Sequence, residues 1–156
     1  MATALQGWHP GETKLHNLLH FPSSIATRYT AIESQMREQH RTFHTSNLPF
    51  IPLTVIDKDG RPWAGIAAGR SGEIGFVSSP DLKTLVFGVR VWAGEPLAGI
   101  LQSWNGKEDG LGTLTAGLGI EFSTRRRNKF AGTIRDVRAK GEGEYVVRVE
   151  VTEALG

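Results

Sequence analysis

A chain of 156 residues and 17.1 kDa holds one domain, long enough to bury a core without metal or disulfide support. Hydrophobic residues at 39% and charged residues at 22% exclude a disordered chain. The absence of cysteine excludes disulfide scaffolds, zinc–thiolate sites, iron–sulfur clusters and cysteine nucleophiles, and a net charge of +2 argues against a nucleic-acid footprint spread over the whole surface.

The first 45 residues read as helical. Leu15, Leu18 and Leu19 recur at helical spacing before Pro22, and Thr30 with Glu33 has the pattern of a capping box opening a second helix through about Thr45. From Leu48 the period changes. LPFIPLTVID reads as an edge or bulged strand because of its two prolines, and KDGR (58–61) reads as a turn. PWAGIAAGR, GEIGFVSS and TLVFGVR follow as strands. Glu95-Pro96 opens a short helix through Gln102, SWNGKEDG is a loop, and 111–124, FAGTIRDVR and GEYVVRVEV are further strands. Short strands between Gly, Asp and Pro turns predict an antiparallel barrel or sandwich.

No segment reaches the ~18–20 apolar residues of a membrane span. The N-terminus lacks the basic start and unbroken apolar stretch of a signal peptide, so a cytoplasmic protein with no membrane partner is expected.

Neither a GxGxxG between strand and helix nor a GxxxxGK[ST] is present, so Rossmann and P-loop readings fail. Three other features carry chemistry. The small side chains from Ala64 to Gly69 let another body approach the backbone closely, either a planar ligand or a packed helix. Arg70, Ser78, Ser79 and Lys83 are an anion site if they converge, and solvated turn residues if they do not. Arg125 to Lys129 is a compact basic run suited to a small anion, or a solvated turn. Few aromatics interleave with it, so nucleic acid is not an expected partner. His16/His20 and His40/His44 are each spaced to share a helix face. No carboxylates accompany them in a metal-binding pattern, so they are read as surface histidines, and no metal site is expected.

In order along the chain, GWHPGE, LPFIPLTVIDKDGRPWAG, GFVSSPD and RRRNKFAG resemble the FMN-binding split barrels related to pyridoxamine 5′-phosphate oxidase, in a subgroup with a helical N-terminal extension. The resemblance implies a mostly β fold with flanking helices, a six-stranded antiparallel split β-barrel. Residues 1–46 would form the extension packing on the barrel, and 47–156 the flavin-binding domain. It implies a homodimer with FMN in clefts between subunits. Gly65, Ile66, Ala67 and Arg70 would contact the cofactor, with Ser78, Ser79 and Lys83 from the next strand end. Arg126, Arg127 and Asn128 would come from the partner subunit. An oxidoreductase moving hydride between a small donor such as NAD(P)H and an acceptor is the implied activity. A deazaflavin reductase and a non-catalytic haem- or flavin-binding module are the alternatives, with a histidine as axial ligand in the haem case. Better-known members carry arginine where this chain has Gly65, which removes one phosphate contact. Relatives also run on through a Cys-Pro-containing stretch, so a C-terminally cropped form is expected here.

Overall fold

The structure, a computed structural model, describes residues 2–106 and 114–156. Helices α1 (Pro10–Leu18), α2 (Glu38–Ser46) and α3 (Pro96–Gln102) accompany seven strands: β1 (Phe50–Ile56), β2 (Pro62–Ala68), β3 (Val77–Asp81), β4 (Thr84–Arg90), β5 (Leu114–Glu121), β6 (Arg126–Gly141) and β7 (Glu144–Leu155). They form one antiparallel sheet in the order β2-β1-β5-β6-β7-β4-β3.

The expected six strands are therefore corrected to seven. Every strand-like segment of the sequence pairs, although β3 begins five residues later than GEIGFVSS does. Gly72 and Gly75, at φ of 72° and 109°, turn the chain before it. Barrel closure is not seen. Among the described residues no ladder joins the edge strands β2 and β3. The sheet nevertheless curls enough to bring β2 against β4 and Gly69 against Phe76 and Gly88.

The N-terminal helices also differ from expectation. α1 forms where leucine spacing predicts it, but its capping box is His9 with Glu12. Thr30 opens no long helix. It lies in a 3-10 turn (Arg28–Ala31) with its hydroxyl donating to the Thr27 carbonyl, and α2 starts only at Glu38. Glu33 belongs to neither helix, because its N–H and C=O pair with Ala154 and extend the sheet beyond β7. The expected SWNGKEDG loop from residue 107 onward, and the start of the strand predicted from 111, lie outside the described residues.

Period-two alternation assigns the faces. Gly65, Leu53, Gly117, Phe130 and Ala154 stand opposite one another on successive strands and point inward. Phe130 fills the space that the glycines leave. A Cβ at Gly117 would lie 2.3 Å from its ring, and that ring stacks on Phe87 with centroids 5.8 Å apart. α3 enters the same core through Leu97, Ala98 and Leu101. Among the described residues no helix is long and apolar enough to cross a membrane.

Gly117→Ala should thus be destabilising by about 1–3 kcal/mol through overpacking against Phe130. Gly99→Ala, on the open side of α3 with nothing within 4 Å, should be stabilising by about 0.5–1 kcal/mol. Urea unfolding of the two variants checks the contrast, and equal effects would contradict the packing described.

Candidate functional site

β2 is an edge strand, so one side of its backbone has no strand partner. Its two faces differ. Gly65 and Ala67 point inward, where a Cβ at Gly65 would meet Leu97 of α3 at 3.9 Å. Ala64, Ile66 and Ala68 point outward, and Ile66 is 59% exposed. The small-residue strand thus receives a packed helix on its inner face and leaves the outer face and the edge open.

The outer face continues as an apolar cleft of about 550 Å³. Pro52, Thr54, Ala64, Ala116, Leu118 and Leu155 contribute to its lining, with Lys129 and Glu153 among the charged groups there. Ala64, Ala116 and Ala131, on β2, β5 and β6, keep this face low.

Arg70 follows β2 and lines a separate cavity of about 580 Å³ with Phe76 and Gly88. Its guanidinium is 3.1 Å from Glu144 at the start of β7 and remains mostly exposed. Arg90 reaches the same carboxylate at 4.0 Å while stacking on Trp92. Ser78 is exposed on β3. The Ser79 hydroxyl donates to the Asp81 carbonyl, and its own carbonyl accepts from Arg41 on α2. The Lys83 backbone is held at both ends: its N–H donates to the Asp81 carboxylate and its carbonyl accepts from Val151. The Lys83 ammonium makes no ion pair among the described residues. Arg70 and Lys83 line different cavities, Lys83 with Asp81, Arg135 and Arg148, so these groups do not converge on one point.

The basic run opens β6. Arg125 takes a positive φ of 61°, and alternation then separates its successors. Arg126 turns toward α2, its guanidinium 5.0 Å from the Phe43 ring. Arg127 stands opposite Ile120 on the outer face, two residues from Lys129. Asn128 is buried, and its Oδ1 accepts from His44 Nε2 at 3.2 Å. β1 and β5 separate β6 from β2, so one chain does not bring Arg126, Arg127 and Asn128 to the β2 edge.

The surface reading of His40 and His44 is corrected. His44 is fully buried beside Phe43 and Phe130, and His40 is 5% exposed. With Nε2 donating to Asn128, His44 Nδ1 carries no proton and has no partner, and His40 Nδ1 is also unpartnered. Burial holds both imidazoles below their ordinary value, and for His44 the pKa is pushed down to about 4. Sequence signalled this pair only through its spacing and its flanking Phe43. The Asn128 partner comes from a strand 84 residues away, which local pattern does not reveal. Among the described residues no cluster of three metal-ligating side chains exists.

Comparison with solved structures gives the fold its precedents. A Lactobacillus delbrueckii protein, described provisionally as a pyridoxamine 5′-phosphate oxidase, superposes with a TM-score of 0.52 at 15% identity, over 79% of this chain and 95% of that one. An FMN-binding protein from Syntrophomonas wolfei gives 0.52 at 8% identity, over 93% and 94%. An F420 reductase gives 0.50 at 12% identity, over 76% and 98%. No protein-family model and no curated protein matches the chain. The fold is that of the pyridoxamine 5′-phosphate oxidase-like split barrels, and at these identities the likeness is one of fold.

The His44 environment predicts a pH dependence. The unfolded imidazole takes its proton near the ordinary 6.5 and the folded one near 4. Between those values the unfolded state binds more protons, so stability is present above 6.5 and is lost as pH falls toward 4. Linkage puts the loss at about 3 kcal/mol. His44→Gln, which keeps an amide donor for Asn128 and gains no proton, should flatten this slope in thermal melts. An unchanged slope would place the titrating group elsewhere.

Proposed function

We propose that the chain is an FMN-binding flavoprotein that works as a homodimer, an oxidoreductase moving hydride between a small donor such as NAD(P)H and an acceptor. The observation that carries the reading is the open β2 edge, with small side chains along it and Arg70 just past its end. The isoalloxazine ring is planar and carries N–H and C=O groups along its pyrimidine edge, which match unpaired strand backbone. Solved proteins of this fold include one that binds FMN.

The residues fit the ring better than the phosphate. Gly65 and Ile66 offer backbone groups and a flat wall, while Ala67, fully buried, holds the strand from within. Lys83 and Ser78 offer the phosphate an ammonium and a hydroxyl, and Ser79 adds its hydroxyl once released from the Asp81 carbonyl. Arg70 must leave Glu144 to join them. Arg127 reaches the ring from the partner subunit, because within one chain it lies on the far side of β1 and β5; Asn128, buried against His44, supports β6 from the inner face. Bound FMN supplies the hydride chemistry. The protein orients the ring, covers it with a second copy and places a guanidinium where negative charge gathers on reduction. The cytoplasmic setting remains part of this reading.

Absorbance of the purified protein with mass analysis of the released cofactor tests it. Flavin bands and the mass of FMN are expected. A deazaflavin mass would keep the edge site and change the cofactor, and a Soret band would overturn the flavin reading. Lys83→Ala should weaken FMN binding about tenfold or more, since a charge-assisted hydrogen bond contributes ~1.5–3 kcal/mol. Riboflavin, lacking the phosphate, should bind both forms alike, and equal losses for the two ligands would remove Lys83 from the phosphate.

Arg127→Met should lower the midpoint potential of the bound flavin by roughly 30 mV for each ~1.4 kcal/mol of stabilisation lost. Arg125→Met should leave it unchanged. Equal shifts in both variants would indicate a diffuse basic field in place of a directed contact.

A further inference from the structure

Among the described residues, nothing buries the leucine stripe of α1. Leu15, Leu18 and Leu19 share one helix face, yet they are 54%, 68% and 58% exposed, and no residue of α1 is buried. Phe21, just past the helix, is 47% exposed and stacks on His16. The opposite side of the segment is occupied. Trp8 packs edge-on against His16 and Tyr29, and its indole N–H donates to the Ile25 carbonyl. The segment therefore holds a defined shape with its apolar stripe turned outward.

The same chain carries a matching vacancy, the apolar cleft on the outer face of β2, β1, β5 and β6. Leucines at i, i+3 and i+4 are the anchors by which an amphipathic helix enters a groove, and alanines at 64, 116 and 131 leave room for them. Charge complements shape. Lys129 and Glu153 at the cleft make no ion pair among the described residues, nor does Lys14 on α1, and Glu12 lies two residues before Lys14, its carboxylate accepting from the His9 N–H. None of the α1 residues lines the cleft of its own chain. The segment that leads back from α1 instead ends at the cleft margin, where Ile32 lines it and Glu33 is fastened to Ala154.

We propose that α1 is a docking arm: its Leu15/Leu18/Leu19 face seats in the outer-face cleft of a second copy of this chain, with Lys14 and Glu12 meeting Glu153 and Lys129 of that copy. The contact is reciprocal, so two arms close one symmetric dimer. The inference rests on the dimer of the proposed function and adds the element that holds it together.

The chain lacks cysteine, so introduced thiols report without background. Leu18→Cys and Ala116→Cys are purified separately, mixed, and oxidised at low protein concentration. A disulfide-linked species of twice the chain mass, containing one copy of each variant, is expected. Lys58→Cys, in the exposed β1–β2 turn, replaces Leu18→Cys as the control and should give no linkage. Leu15→Glu with Leu18→Glu should weaken association of the otherwise unmodified chain roughly tenfold or more in sedimentation equilibrium. A dimer that forms without the Leu18–Ala116 link overturns the arm and leaves the shared flavin site standing. A monomer overturns both. Binding to lipid vesicles that depends on α1, in place of dimerisation, also overturns the arm.

Discussion

Phe130 occupies the space left by Gly117, and that contact fixes the register on which the rest of the molecule depends. With Phe130 inward, alternation sends Asn128 inward to His44 and puts Arg127 and Lys129 on the outer face. A one-residue slip would bury two cations and expose the aromatic. The ring also abuts His44 edge-on at 5.4 Å, so the same residue sets the depth at which α2 sits. Gly119 continues the logic, since a Cβ there would meet Leu48, Phe43 and His44.

The open edge follows from the same curvature. The sheet bends far enough for Gly69 to meet Phe76 and Gly88, yet the turn after β2 carries the chain away before β3 can ladder with it. Unpaired backbone on an edge invites pairing with another chain or with a ligand that imitates one. Arg70 follows that edge and pairs with Glu144, whereas Lys83 lines a separate cavity with Asp81, Arg135 and Arg148 and makes no ion pair among the described residues. An apolar outer face beside the edge completes a surface suited to a planar cofactor and a second subunit, in keeping with the reading proposed above.

Legibility in the sequence followed the range of the forces involved. Strands bounded by Gly, Asp and Pro were readable because turn chemistry is local, and α3 was readable from Pro96 at its first turn. The Thr30–Glu33 pattern misled because Glu33 makes strand-like hydrogen bonds with Ala154, a partner 121 residues along the chain. His40 and His44 read as surface residues for a similar reason: burial came from β5, β6 and the end of β7. The small-residue strand was legible from composition, while its place at the edge of the sheet needed the strand order. That β6 would divide Arg126, Arg127 and Asn128 among different surroundings needed its register.

The central claim is a cofactor site at the β2 edge that is complete only when two chains associate. Binding and association are then linked, and flavin affinity must rise with protein concentration. The direct measurement is FMN occupancy by fluorescence, paired with sedimentation of the same samples across a dilution series spanning the dimer dissociation constant. The account predicts that occupancy follows the dimer fraction, and that saturating FMN shifts monomer to dimer. A monomer that keeps full occupancy at every dilution would contradict it.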